Sequence, residues 1–134
     1  MRVFLHTDVL ASALATRGLG ADVMREAVLR HTIVVSDEVE AELRRTLTRK
    51  FRVPAEIAEE AIAALFEGAE RAFSRPLAEV PRVDEADRAI VSAAVNGRAD
   101  LLVTGDGKVR DVGRCASVEV VSPREFWERL KSGS

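Results

Sequence analysis

The sequence predicts an α/β fold: three layers, α/β/α, with a parallel sheet of about four to five strands covered by helices on both faces. Three observations predict it. Four short apolar runs read as strands: Val3-Phe4-Leu5, Thr32-Ile33-Val34-Val35, Leu101-Leu102-Val103 and Val118-Glu119-Val120-Val121. Near-continuous apolar character is what strands buried on both faces require. Segments of helical period alternate with these runs, as crossover connections between parallel strands do. The chain has 134 residues, 47% hydrophobic and 31% charged. That balance suits one compact domain and excludes a disordered or fibrous chain.

Taken in order, Val9 to Ala15 follows the first strand without a breaker and reads as helix. Gly18 and Gly20 mark a turn, and Asp22 to Arg30 forms a second helical piece with Val23, Met24, Ala27 and Val28 inward. After the second strand, Ser36 or Asp37 caps a helix whose Val39, Leu43 and Leu47 repeat every four residues along one face. Pro54 suits the first turn of the next helix, which reads on to Phe73 with Ile57, Ala61, Leu65 and Ala69 as its inward stripe. Small apolar residues on its other sides (Ala58, Ile62, Ala63, Ala64) give it a second packing surface, for a homodimer or a partner protein. Pro76 and Pro81 bracket a short crossing segment, Asp84 to Asn96 is helical, and Gly97 is its stop. Pro123 opens a last helix carrying Phe126, Trp127 and Leu130 as core or dimer contacts. Residues 1–131 form the domain, and 132–134 are expected to fray.

Charge and cysteine content limit the function. Twenty basic against 22 acidic residues leave a net charge of −2. Nucleic acid is therefore not held by overall charge, and any such contact is a local patch. Cys115 is the one cysteine; it forms no internal disulfide, reads as a small buried apolar residue, and fits a reducing, cytoplasmic setting. No apolar run reaches the roughly 18 to 20 residues a membrane span needs. The N-terminus loosely mimics a signal peptide, but His6 and Asp8 interrupt its apolar region. His31, just before a strand, reads as structural.

The chemistry-bearing residues are acids. In open parallel sheets, ligands bind at the carboxyl ends of the strands. Asp8 follows the first strand there, and Asp106 follows the Leu101–Val103 strand. Glu42 borders the buried face of the helix after the second strand, and Asp87 lies in the first turn of the helix beginning near Asp84. Four carboxylates brought to one edge repel one another unless a cation holds them. Oxygen donors without a Cys or His set favour Mg²⁺ or Mn²⁺. The plainer alternative is that some of the 22 acids fall near strand ends by chance, or cap helices. The basic residues leave two readings open as well. Arg44, Arg45, Arg49, Lys50 and Arg52 make either a phosphate track beside Glu42 or a solvated face paired to Glu56, Glu59 and Glu60. Lys108 and Arg110 lie nearer the acids.

The pieces VFLHTDVLASAL, VSDEVEAELRRTLTRKF, VDEADRAIVSAAVNGRADLLVTGD and VEVVSPREF occur in this order from Met1 to about Leu130. Their order and spacing resemble PIN-domain nucleases, above all the VapC-like toxin components of prokaryotic toxin–antitoxin pairs. The resemblance implies a Mg²⁺- or Mn²⁺-dependent endoribonuclease that cuts single-stranded or loop RNA, with a cognate antitoxin and a homodimer as partners. It implies Glu42, Asp87 and Asp106 as catalytic metal ligands, Thr104 as the polar residue preceding the last of them, and Asp84 as a supporting or substitute ligand. One position departs. The family writes Asp-Thr-Asn after the first strand, where this chain has His6-Thr7-Asp8. His6 then ligates the metal itself, or Asp8 takes over, or the site is weakened.

Three rivals are weighed against this. Val-Thr-Gly-Asp-Gly also resembles the magnesium motif of haloacid-dehalogenase-like phosphatases, but His6 stands where their nucleophilic Asp belongs. A catalytically silent PIN-like module that binds RNA or a partner is favoured by His6. A phosphoacceptor receiver domain needs a mid-chain strand ending in a lone Asp, and the run ending Val35-Ser36-Asp37 comes too early.

Overall fold

Strand β1 (Arg2–Leu5) lies in the interior of the sheet, with Val3, Phe4 and Leu5 fully buried. A computed structural model describes residues 1–15 and 19–132. After β1 come α1 (Thr7–Ala15), α2 (Leu19–Arg30), β2 (Thr32–Ser36), α3 (Asp37–Arg45) and a single π-helical turn, Thr46–Lys50. Then follow α4 (Ala55–Glu67), β3 (Glu70–Ala72), α5 (Glu85–Asn96), β4 (Leu101–Val103), α6 (Gly107–Arg110), β5 (Arg114–Cys115), β6 (Val118–Val121) and α7 (Pro123–Lys131).

The strands form one sheet in the order β3-β2-β1-β4-β6-β5. The first five in that order run parallel, and β5 pairs antiparallel with β6. Phe4 is the hinge of the register, opposite Val34 on one side and Leu102 on the other. Buried residues run unbroken along β1, β2 and β4, so helices cover both faces, as continuous apolar strands require. Strand order reverses between β1 and β4: from β1 the chain builds outward through β2 and β3, then returns to add β4 and β6. The crevice at the carboxyl ends of β1 and β4 is thus the topological switch point where open α/β sheets place ligands.

Local chemistry explains the helix boundaries. Ser36, not Asp37, caps α3, its hydroxyl accepting from the Val39 N–H at 3.3 Å. Asp84 caps α5 through the Asp87 N–H at 2.8 Å. Ser122 and Glu125 form a reciprocal capping box on α7, with Pro123 at its start. Gly97 ends α5 as predicted. A Cβ there would come within 2.7 Å of both Ala72 Cβ and Val34 Cγ1, so only glycine lets α5 close on the sheet.

The predicted three-layer architecture and four principal strands are present, with corrections. The helix beginning near Pro54 stops at Glu67 instead of reaching Phe73, and residues 70–72 turn into the edge strand β3. Ile57 is 55% exposed; α4 buries Ala58 and Ile62 instead. Val28 is 51% exposed, whereas Met24 and Ala27 are buried. Gly20 lies inside α2 rather than in a turn; Gly18 and the Val23 side chain lie outside the described residues. Ser132 is the C-cap of α7, its N–H donating to Glu128 O at 3.1 Å. Residues 133–134 are likewise outside the description. No described helix is long and apolar enough to cross a membrane.

Candidate active site

The loop after β4 is tied to the end of β1 by two side chains. His6 is 7% exposed, and its Nδ1 lies 2.8 Å from the Oγ1 of fully buried Thr104. That same hydroxyl accepts from the Asp106 N–H at 3.0 Å. Asp8, in the first turn of α1, accepts from the Gly105 N–H through Oδ2 at 2.7 Å, with its Oδ1 3.6 Å from His6 Nδ1. A Cβ on residue 105 would stand 2.6 Å from Asp8 Oδ2. Glycine at this position is therefore a steric requirement of the Asp8 contact. A glycine between two polar residues after a strand was the available signal for it.

Asp87 is the electrostatic centre. Partial burial, and then the negative charges of Asp84 and Asp106, push its carboxyl above the ordinary aspartate range, while the His6 ring and Lys108 act in the opposite sense. Four residues, from the ends of β1 and β4 and the starts of α5 and α6, thus act on Asp87. Desolvation with like charge alongside is the pattern that separates functional carboxylates from surface ones. Asp106 also caps α6, accepting from the Lys108 N–H at 2.9 Å. That bond fixes one carboxylate oxygen and leads the backbone on to Lys108.

Glu42 sits apart from this centre. It lines a cleft of about 210 Å³ with Thr7, Asp8, Ser12, Thr46, Lys50 and Phe51. The Thr7 Oγ1 beside it is buried without a hydrogen-bond partner. The expected gathering of Asp8, Glu42, Asp87 and Asp106 is therefore looser than the sequence suggested. Among the described residues no three His, Cys, Asp or Glu side chains are gathered closely enough to hold a metal ion together. Asp8, Asp84 and Asp106 each accept a backbone N–H through one oxygen.

The basic stretch divides. Arg44 is bound to Glu59 by both its Nε and Nη2, and to Glu40 at 3.1 Å. Arg45, Arg49 and Lys50 form no ion pair with a described carboxylate, and the Lys50 ammonium lies 5.7 Å from the Phe51 ring centroid. Arg52 adopts a left-handed backbone, φ 56°, just after the π-helical turn.

The family model that matches residues 2–108 is described as the PIN domain. No curated protein matches the chain. Among solved structures it is similar to one described as VapBC2 from Rickettsia felis bound to a DNA fragment from their promoter. The TM-score is 0.68 at 17% identity, covering 91% of this chain and 98% of that one. That likeness is one of fold, and it extends beyond the PIN match to most of the molecule. With its acids at the β1/β4 crevice and the PIN model spanning most of its length, the chain belongs to the PIN domain family.

Proposed function

We propose that this chain is the nuclease of a toxin–antitoxin pair, a metal-dependent endoribonuclease that cuts single-stranded or loop RNA. The observation that carries the proposal is Asp87, held above its ordinary pKa by burial, Asp84 and Asp106 at the switch point. A carboxylate penalised in this way gains most from a cation. Asp87 and Asp106 would hold a divalent ion, with Asp84 or Asp8 in support and Glu42 reached from the neighbouring cleft. Mg²⁺ keeps several waters and takes one or two protein carboxylates, so it does not require a ready-made cage of three. When bound, such an ion lowers the pKa of water and offsets charge on phosphate oxygens.

The remaining work falls to the protein. Thr104, pinned by His6, holds the Asp106 backbone, and Asp8 holds Gly105; together they fix the loop against the end of β1. Lys108 extends from the same loop and offers its ammonium to a phosphate oxygen, aided by Arg110, Arg45, Arg49 and Lys50. Water adds to phosphorus and the bond to the 3′ oxygen breaks, leaving a 5′-phosphate and a 3′-hydroxyl. The proposed partners are a cognate antitoxin and a second copy of the chain. In support, the outward face of α4 presents Ile57 and Ala64 to solvent.

The test is cleavage of end-labelled RNA with Mn²⁺ or Mg²⁺ against EDTA. Cleavage is expected with metal only, and Asp106→Asn should lower its rate by about 100-fold or more. Metal-independent cleavage, or full activity in Asp106→Asn, overturns the carboxylate mechanism. A second reading, a PIN-fold binder that does not cut, is favoured by His6 facing Thr104. It predicts RNA binding without cleavage in the chain as written, and cleavage gained in His6→Asp.

A further inference from the structure

Helix α7 carries a second set of features that the acid cluster does not use. Arg124, Trp127, Glu128 and Lys131 follow the spacing i, i+3, i+4, i+7 and so share one face. Together with Arg110 from α6 they line a groove of about 620 Å³. Arg110, Arg124 and Lys131 are exposed, and none forms an ion pair with a described carboxylate. The indole of Trp127 is half-buried, its inner side against the core. The Lys131 ammonium lies over the ring, 6.0 Å from its centroid. One acid, Glu128, faces the same groove, so three cations outnumber it. Arg110 is two residues from Lys108, which already acts on Asp87. The groove is thus reached from the acid cluster across the single turn of α6.

An aromatic face bordered by unpaired cations is the combination that holds single-stranded nucleic acid: the ring stacks a base, and the cations follow the phosphates. Guanidinium groups also match phosphate geometry in a way that ammonium groups do not. Resting on the nuclease reading above, we infer that the α6–α7 groove is a second RNA subsite. It would hold an unpaired nucleotide of the substrate strand outside the cleavage position, the base on Trp127 and its flanking phosphates on Arg110, Arg124 and Lys131. Lys131 would leave the ring face as the base arrives and move to a phosphate.

Trp127 is the one tryptophan, and the chain has no tyrosine, so its fluorescence reports on this groove alone. The experiment titrates the full chain with a short oligoadenylate in EDTA, where no cleavage occurs. Saturable quenching is expected, with log affinity falling against log salt at a slope near −2, about −0.7 for each of three phosphate contacts. In Arg124→Gln/Lys131→Gln the slope should drop to about −0.7. Trp127→Leu, with binding followed by anisotropy of a labelled strand, should weaken affinity about tenfold or more, the value of one stacked base. No quenching overturns the inference. So does equal quenching by an abasic strand of the same length or by polyglutamate, since charge alone, or a protein partner, would then suffice. Cleavage with metal but no quenching leaves the nuclease standing without this subsite. Quenching with no cleavage under any metal leaves the subsite and removes the nuclease.

Discussion

Two ends of the molecule use the same residue types in opposite ways. Around α3, α4 and β3, Asp37, Glu40 and Glu59 are each paired with an arginine. Arg71 binds Asp37 and Glu40, and Arg44 binds Glu40 and Glu59. Their hydrogen bonds hold the Glu40 and Glu59 carboxyls below the usual glutamate range. At the β1/β4 crevice, Asp84 and Asp106 act on Asp87 through their negative charge, no described arginine forms an ion pair with any of the three, and the Asp87 carboxyl moves the other way. An acid satisfied by an arginine has nothing to offer a ligand. An acid crowded by other acids is a site in waiting, and this difference in partners, rather than the count of acids, points to function.

The strongest test of the contrast is Asp87→Asn. It should abolish metal-dependent RNA cleavage yet raise the melting temperature at neutral pH, because a like-charged neighbour is removed. The sign follows from linkage. A carboxyl whose folded pKa is raised makes the folded state less stable above that pKa, and the penalty disappears as pH falls below the unfolded value of 3.8. The stability gain of Asp87→Asn should therefore shrink between neutral pH and about pH 4 when followed by thermal melts. A melting temperature that falls at neutral pH would show the carboxylate to be structural.

Next in size is His6→Asp. Placing a carboxylate at this position should tighten Mn²⁺ binding about tenfold by calorimetry, about 1.4 kcal/mol. The same change removes the buried contact with Thr104 and lowers metal-free stability. Unchanged Mn²⁺ affinity would place residue 6 outside the metal's reach. The smallest effect belongs to the paired end. Arg71→Ala should cost about 0.2 to 1 kcal/mol by denaturant melts, since its pairs are exposed, and leave cleavage untouched. A loss of activity there would erase the distinction between the two ends.

Most of the sheet was legible because its strands are apolar on both faces. Val3 to Leu5 and Leu101 to Val103 have no polar residue to confuse the period. The edges were not. β3 reads Glu70-Arg71-Ala72 and exposes its first two residues, so nothing in its composition separates it from the end of a helix. β5 is two residues long. The phase of α4 was misjudged by one position because alanines occupy most of its sides. Only packing shows that Ala58 and Ile62, rather than Ile57, face the core. At the crevice Asp87 and Asp106 were singled out from a helix start and a strand end, and Thr104 only through the family resemblance. The bond from the Gly105 N–H to Asp8 was not legible, because it joins residues about a hundred apart that meet only in the folded chain; the caps made by Asp84 and Asp106 are local, as acids at helix starts allow. Trp127 looked like core because half of it is core; the three cations around its other half come together only when α6 meets α7.

The central position of β1 has a consequence for how the protein is made. Its last strand residue, Leu5, pairs with Val103, and Asp8 holds Gly105, so partners in the middle of the sheet lie about a hundred residues apart in the chain. During synthesis β1 must wait for about a hundred further residues before its second neighbour exists, and such distant pairings form slowly. Asp106 cannot join the acids around Asp87 on a nascent chain until that closure, so the ribosome making this protein carries only an incomplete crevice until β4 has been made.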